Sequence, residues 1–421
     1  MASIDFSYFC CMKLLRLLSL LLFGTSFAVA RCVEAQHFPG GSSLVSEPPI
    51  RFGAAPDASH VSLDGNSVAT PGSWVAQLGR PKAVKALYVN AWAFASNRLW
   101  QIVRLVDSTA INSLVIDVKD DTGCLLYHSQ VTTAREIGAS ACARIADVRP
   151  RLDTLHAHGI YPIARIVVAK DPLLAERKSA WSVRSRDGGL WRDRIGSAWV
   201  DAYNDSVWVY AAQLAREAVE LGFGEVQFDY VRFPDEPRSR LASAIFAARK
   251  DGETPREAVR RHVRLLVDML KPLGAPVTFD VFGLTATVTT SDLGIGQVWE
   301  DFIDVADVLL PMVYPSHYRS GSFGFRTPNA NPYEVVRYAL TDALARTPAP
   351  NSTQIRPYLQ AFTLGRRLPR YTPTEIKDQI RAARDVGIDS WVLWNPRSVY
   401  QRAALPPYSS GAGPTVTPGG D

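Results

Sequence analysis

Asp229 is the residue on which a chemical reading of this 421-residue chain turns. It lies in Gly224-Glu225-Val226-Gln227-Phe228-Asp229-Tyr230-Val231-Arg232-Phe233-Pro234, a run that Pro234 and Pro237 bring to a stop. Val, Phe and Tyr favour a strand there. A period of two puts Gln227 and Asp229 on one face and Phe228 and Tyr230 on the other. A carboxylate and an amide on the inner face of an apolar strand are costly unless they are paired or used. Taken alone, Asp229 reads more simply as an acid that ties down a neighbouring loop.

The other apolar runs change that balance, because each ends on a polar residue. In order these are Asn90, Asp117 with Lys119 and Asp120, Arg165, Gln227 with Asp229, Asp280, Tyr314, Gln360, and Asn395 beside Trp394. Polar residues kept for structure alone would also fall at the opposite ends and in the helices, so this concentration reads as a functional rim. Carboxylates protonate and stabilise a glycosidic centre, amides read hydroxyls, and aromatic faces stack on sugar rings. Lys119 and Arg165 favour ionisation of nearby acids or hold a charged substituent. Trp92, just past Asn90, and His317, in Tyr314-Pro315-Ser316-His317-Tyr318, join the candidate substrate contacts; His317 can titrate usefully or simply fix its loop. Arg232 either orients substrate or pairs with Asp235 or Glu236. Asp117, Asp120 and Asp121 can instead hold a divalent cation, and Asp120 and Asp121 read equally well as a solvated turn. Trp181, Trp191 and Trp199 are individually packing residues, or together a wall of the cleft.

These positions need a scaffold, and the spacing of elements supplies one. Extended runs at Ala86 to Ala91, Ser113 to Val118, Tyr161 to Ala169 and Gly224 to Pro234 alternate with helical patterns at Asn97 to Ser108, Arg144 to His158 and Asp205 to Leu221. The second half repeats the alternation: runs at Pro276 to Phe282, Asp307 to Tyr314, Arg356 to Phe362 and Ser390 to Trp394, helices at Pro255 to Leu273, Gln297 to Ile303, Pro332 to Arg346 and Pro373 to Val386. Eight strands alternating with helices imply parallel strands joined by right-handed crossovers. The count points to a closed α/β barrel, the (β/α)₈ TIM barrel, over residues 82–404. An open doubly wound sheet would carry a Gly-rich turn after its first strand, and Asn90-Ala91-Trp92-Ala93-Phe94 is no such turn. The helix after the eighth strand is short or absent, and the leader is a candidate to cover that gap.

Outside the barrel the composition changes. Lys13 and Arg16 lead into the apolar run Leu14 to Phe23, followed by Ala28-Val29-Ala30, the pattern of a signal peptide over residues 1–30 cleaved near Ala30. That run is short for a bilayer span, so no stable membrane insertion is expected after cleavage. Residues 31–81 and 405–421 are rich in Gly, Ser, Pro and Ala and read as a flexible leader and tail. In an oxidising compartment Cys124 and Cys142 can close a short loop, leaving Cys32 in the leader. The net charge of +5 is scattered, which argues against a nucleic-acid partner. There is no zinc-type Cys/His spacing, no Gly-x-Ser-x-Gly elbow and no phosphate-binding glycine turn after strands seven or eight. No cofactor and no resident metal are expected.

Residues from about 85 to 402 resemble a bacterial family of glycoside hydrolase domains long catalogued as a domain of unknown function, DUF4015. The resemblance rests on Ile116-Asp117-Val118-Lys119-Asp120-Asp121-Thr122-Gly123, Gly224 to Pro234, Pro311-Met312-Val313-Tyr314-Pro315-Ser316-His317-Tyr318 and Trp391-Val392-Leu393-Trp394-Asn395, with smaller matches at Gly296-Gln297 and Arg356-Pro357-Tyr358-Leu359-Gln360. It implies a barrel distantly similar to α-amylase-like hydrolases. By that analogy Asp229 takes the nucleophile position and Asp280 that of the general acid. The chain departs from the amylase pattern by carrying Asp rather than Glu on strand five, and by reading Gln360-Ala361-Phe362 where a third carboxylate stands on strand seven.

The expectation is therefore a secreted or periplasmic glycoside hydrolase acting on a polysaccharide or oligosaccharide. Asp229 is its nucleophile or charge stabiliser, Asp280 its general acid and Asp117 the rival for that role. Asn90, Trp92, Lys119, Asp120, Arg165, Gln227, Arg232, Tyr314, His317, Gln360, Trp394 and Asn395 are the candidate substrate contacts. A non-catalytic glycan-binding barrel and a metal-dependent hydrolase are the competing expectations.

Overall fold

The computed structural model describes residues 79–365 and 368–408. The expected signal peptide, Cys32, nearly all of the leader and most of the tail lie outside the described residues.

Eight parallel strands form a closed barrel: β1 (Lys85–Val89), β2 (Ser113–Lys119), β3 (Tyr161–Val167), β4 (Glu225–Asp229), β5 (Val277–Phe282), β6 (Val308–Met312), β7 (Tyr358–Gln360) and β8 (Trp391–Trp394). Each pairs with the next, and β8 returns to β1 through Lys85↔Trp391, Ala86↔Val392 and Leu87↔Leu393. The seam between β6 and β7 closes at Met312↔Tyr358, with the two-residue strand Gln354–Ile355 pairing the start of β6 ahead of it.

Crossover helices follow seven of the strands: α1 (Arg98–Asp107), α2 (Arg149–Ala157), α3 (Asp205–Leu221), α4 (Pro255–Leu270), α5 (Trp299–Ile303), α6 (Pro332–Ala345) and α7 (Pro373–Asp385). Local chemistry sets their starts. Thr254 with Glu257 and Thr372 with Glu375 form reciprocal capping boxes, each followed by a proline in the first helical turn. The helical pattern that begins at Arg144 in the sequence forms a helix only from Arg149. The residues before it are held by the Cys124–Cys142 disulfide and by the hydrogen bonds of Arg144 and Ile145 to the Leu126 carbonyl. Among the described residues, only the short turn Arg402–Ala404 follows β8.

Alternation along the strands separates two buried layers. Leu87, Ile116, Ile166, Phe228, Phe279 and Leu393 face outward to the helices. Tyr88, Val115, Ile163, Leu310, Tyr358 and Val392 face the barrel interior. The interior floor is polar: Arg356 donates to both oxygens of Glu225 at 2.5 and 3.2 Å, and both side chains are fully buried. Arg80 adds a partly exposed cation at 3.5 Å from Glu225. The opposite end is the mouth. There the long connections after β3 and β4 join in a small antiparallel ribbon, Arg184–Ser185 against Ala244–Ile245.

Candidate active site

Three carboxylates converge on one guanidinium inside the mouth. Asp117, Arg165 and Gln227 occupy aligned inward positions on β2, β3 and β4, through Asp117↔Arg165 and Arg165↔Gln227. Asp229 stands one inward position further along β4, and Asp280 projects inward from β5. Arg165 donates to Asp117 at 2.5 Å and to Asp229 at 2.5 Å, and its Nε lies 3.8 Å from Asp280. Tyr88 donates its hydroxyl to the second oxygen of Asp117, and Gln227 donates to Asp280 at 2.9 Å and to the Tyr358 hydroxyl at 2.5 Å. The backbone N–H of Tyr230 donates to Asp229 at 2.5 Å. Trp394 stacks on Tyr88 with ring centres 3.8 Å apart and places its face 5.1 Å from the guanidinium.

One cation cannot neutralise three buried acids. Burial pushes the Asp117 carboxyl up to about 6, with Arg165 opposing. Asp280 is raised well above the usual carboxylate range, first by burial and then by the neighbouring Asp229 charge. Burial works against the Arg165 charge, but Asp117 and Asp229 outweigh it and hold the guanidinium more firmly protonated than usual. Among the described residues Oδ1 of Asp280 accepts no hydrogen bond, whereas both oxygens of Asp117 are occupied.

A cavity of about 560 Å³ opens beside this cluster, on the β4–β6 side of the mouth. None of the three carboxylates lines it. Its wall begins one inward position above Asp280, with Phe282 in register with Met312, and continues through Tyr230, Tyr314, His317 and Trp199. Tyr230, directly after Asp229, has a φ of 55°, a left-handed conformation costly for a bulky side chain and typical of functional sites.

Several expected contacts are placed in the cluster or the cavity wall: Arg165, Gln227 and Trp394 in the first, Arg232, Tyr314 and His317 in the second. Others serve the scaffold. A bulge between Asp117 and Lys119 turns Lys119 out of the inward row, and its ammonium is buried against Asp171 at 2.7 Å and the Val167 carbonyl at 2.7 Å. Asn90 caps the turn Ala91–Ala95 and donates to Pro396 O, joining the β1 and β8 loops. Gln360 bridges Ser316 N–H and Phe362 O, and Asn395 donates to Ala361 O while accepting from Arg397 N–H. Asp120 is spent on Thr122. Trp92 is 65% exposed on the rim, with Arg144 over its ring. Of the three loop tryptophans Trp199 lines the cavity, and Trp191 is packed. Arg232 makes no ion pair with Asp235 or Glu236; its guanidinium is caged by the rings of Tyr230, Phe282 and Trp199. The acids of the β2 loop do not converge on a cation site: Asp117 turns to Arg165, Asp120 to Thr122 and Asp121 to Lys170. No metal-holding group of His, Cys, Asp and Glu occurs among the described residues.

Tyr88 and Tyr358, neither of them among the candidate contacts, complete the cluster. Parity along β1 carries the signal for Tyr88, since Ala86 and Tyr88 share the inward face.

Residues 86–400 match the family described as "Putative glycosyl hydrolase domain", DUF4015. The chain belongs to this family. Among solved structures, a hypothetical protein from Ruminiclostridium thermocellum is 37% identical over 46% of this chain and 97% of its own, with a TM-score of 0.41. The PgaB (BpsB) glycoside hydrolase domain from Bordetella bronchiseptica is 14% identical over 75% of this chain and 95% of its own, with a TM-score of 0.52. The glycoside hydrolase domain of PelA from Pseudomonas aeruginosa is 13% identical over 76% and 97%, with a TM-score of 0.43. The Bordetella domain shares the fold of this glycosyl hydrolase family member. No curated protein matches.

Proposed function

We propose that this glycosyl hydrolase domain is secreted or periplasmic and cleaves glycosidic bonds in a polysaccharide, with Asp229 and Asp280 as its working pair. The observation that carries the reading is their shared contact with Arg165. Asp229 and Asp280 both lie within 4.0 Å of that one guanidinium, and a pair of neighbouring carboxyl groups is what two-carboxylate glycosidases use. Protonated Asp280 donates its proton to the leaving glycosidic oxygen as the bond to the anomeric carbon breaks. Asp229, fixed by Arg165 and the Tyr230 N–H, faces the positive charge that develops on the sugar, as nucleophile or as stabiliser. Water supplies the hydroxyl that ends on the anomeric carbon, and its other proton restores Asp280. Asp280 suits the acid's role better than Asp117 does, because one of its oxygens is uncommitted.

Export is supported by the residues ahead of Ala30 and by the Cys124–Cys142 disulfide, a bond that persists in oxidising compartments. The dispersal of the β2-loop acids favours direct two-carboxylate hydrolysis over a metal-dependent route.

Release of reducing ends from a panel of bacterial and plant polysaccharides tests the reading. The expected result is release from at least one glycan at a rate that a divalent-metal chelator leaves unchanged. Binding to a glycan without release from any would assign the barrel to recognition instead. Release abolished by chelator and restored by a divalent ion would replace the mechanism.

A further inference from the structure

The cavity beside the carboxylates has a charge that the proposed hydrolysis does not use. Arg232 is only 6% exposed, lines the cavity and donates to the Phe233 carbonyl at 3.0 Å. Three aromatic rings enclose its guanidinium, with Tyr230 at 4.6 Å, Phe282 at 4.7 Å and Trp199 at 5.3 Å. No carboxylate of a described residue lies within the 4.0 Å of an ion pair.

Asp193, Asp235 and Glu236 share the cavity wall, and none of them forms an ion pair with Arg232. Asp193 accepts from the N–H groups of Ile195 and Ser197 and from the Trp199 indole. Glu236 accepts from the Arg194 N–H and pairs with Arg240 at 3.2 Å. Asp235 senses Arg232 without touching it, and burial raises its carboxyl above the usual range. Lys170, on Tyr230 at 5.4 Å, is paired with Asp121, while Arg194 and Arg319 also line the cavity.

A buried cation with no anionic partner is costly, and an anion arriving with the ligand removes that cost. We propose that the cavity is a subsite for a carboxylate-bearing sugar, so that the glycan cleaved is acidic. The guanidinium fork accepts a carboxylate through two parallel N–H···O bonds, while Trp199 and Tyr230 give the ring a face to pack on. Arg232 is thus a specificity residue, and the assignment deepens the glycan-cleaving reading on which it rests.

The test uses Asp229→Asn as a chain that binds without turnover, with calorimetric titration of oligoglucuronide, oligogalacturonide and oligomannuronide. Each is compared with its methyl ester and with a sulfated neutral oligosaccharide. At least one uronide is expected to bind about 10- to 100-fold more tightly than its ester. Arg232→Gln added to that chain is expected to abolish the preference, and Arg232→Lys to retain part of it. Thermal melting of each variant separates loss of the subsite from loss of the fold, and Arg232→Lys keeps the charge and stem if Arg232→Gln fails to fold. Equal binding of acid and ester, binding of the sulfated ligand alone, or no uronide binding overturns the proposal. Uronide-selective binding in a wild-type chain that releases no reducing ends leaves the subsite standing and removes the hydrolase reading.

Discussion

Asp280→Asn is expected to lower polysaccharide hydrolysis by about 10²–10⁴-fold while leaving the barrel at least as stable as before. Both halves follow from three acids sharing Arg165. The buried Asp280 carboxyl is held protonated at pH values where an ordinary carboxylate has lost its proton, which is what a general acid needs. The same shift is a cost. A carboxyl whose folded pKa is raised contributes stability that is fully present below its unfolded value and is lost as pH rises through the folded value. For Asp117 that window runs from about 4 to about 6, and for Asp280 it extends well above the usual carboxylate range. Asn keeps the shape and ends the titration. The wild type should therefore lose stability over that pH interval more steeply than the variant. Substrates with good leaving groups, which need little protonation, should be cleaved with a smaller loss. Measurement of kcat/KM against leaving-group pKa, with melting curves from pH 4 to 8, checks both halves. An unchanged rate on the natural glycan would give the acid role to another residue, and a clear fall in Tm would show that the Asp280 carboxyl stabilises the barrel rather than burdening it.

Arg356→Met is expected to produce the largest loss of stability, about 3–5 kcal/mol, by leaving Glu225 buried on the barrel floor without its bidentate partner. Partly exposed Arg80 compensates for little of this. The penalty belongs to the orphaned charge rather than to the worth of the pair. Arg356→Met combined with Glu225→Leu should therefore be less destabilised than Arg356→Met alone. Denaturant unfolding of the two single variants and the double variant closes the cycle. A double variant as unstable as the sum of the singles would show that packing, not unpaired charge, dominates there.

The fold was legible because its signals are local and repeated. Eight β-rich runs alternate with helices that announce their own starts, as Thr254-Pro255 with Glu257 and Thr372-Pro373 with Glu375 do. The polar row was legible for the same reason: one polar residue at the end of each strand, read by parity. What those residues touch depends on neighbours far away in sequence. The bulge that turns Lys119 to Asp171 is a register shift between β2 and β3, invisible along either strand alone. Asn90, Gln360 and Asn395 have side chains as suited to stitching loops together as to reading hydroxyls, and here they stitch. Arg232 had acidic neighbours in sequence at Asp235 and Glu236, yet its cage is built by Trp199 from the connection after β3 and Phe282 from the end of β5. The Cys124–Cys142 bridge, open in the sequence, is closed in the fold.

The central claim is that Asp229 acts on the anomeric centre with Asp280 as its partner acid. Its most direct test compares reducing-end release by the wild type and by Asp229→Asn on whichever polysaccharide the wild type degrades. Asn removes the charge and leaves the side-chain volume and most of the barrel contacts in place. The account predicts release in the wild type and its loss in the folded variant. Release that survives in Asp229→Asn would contradict it.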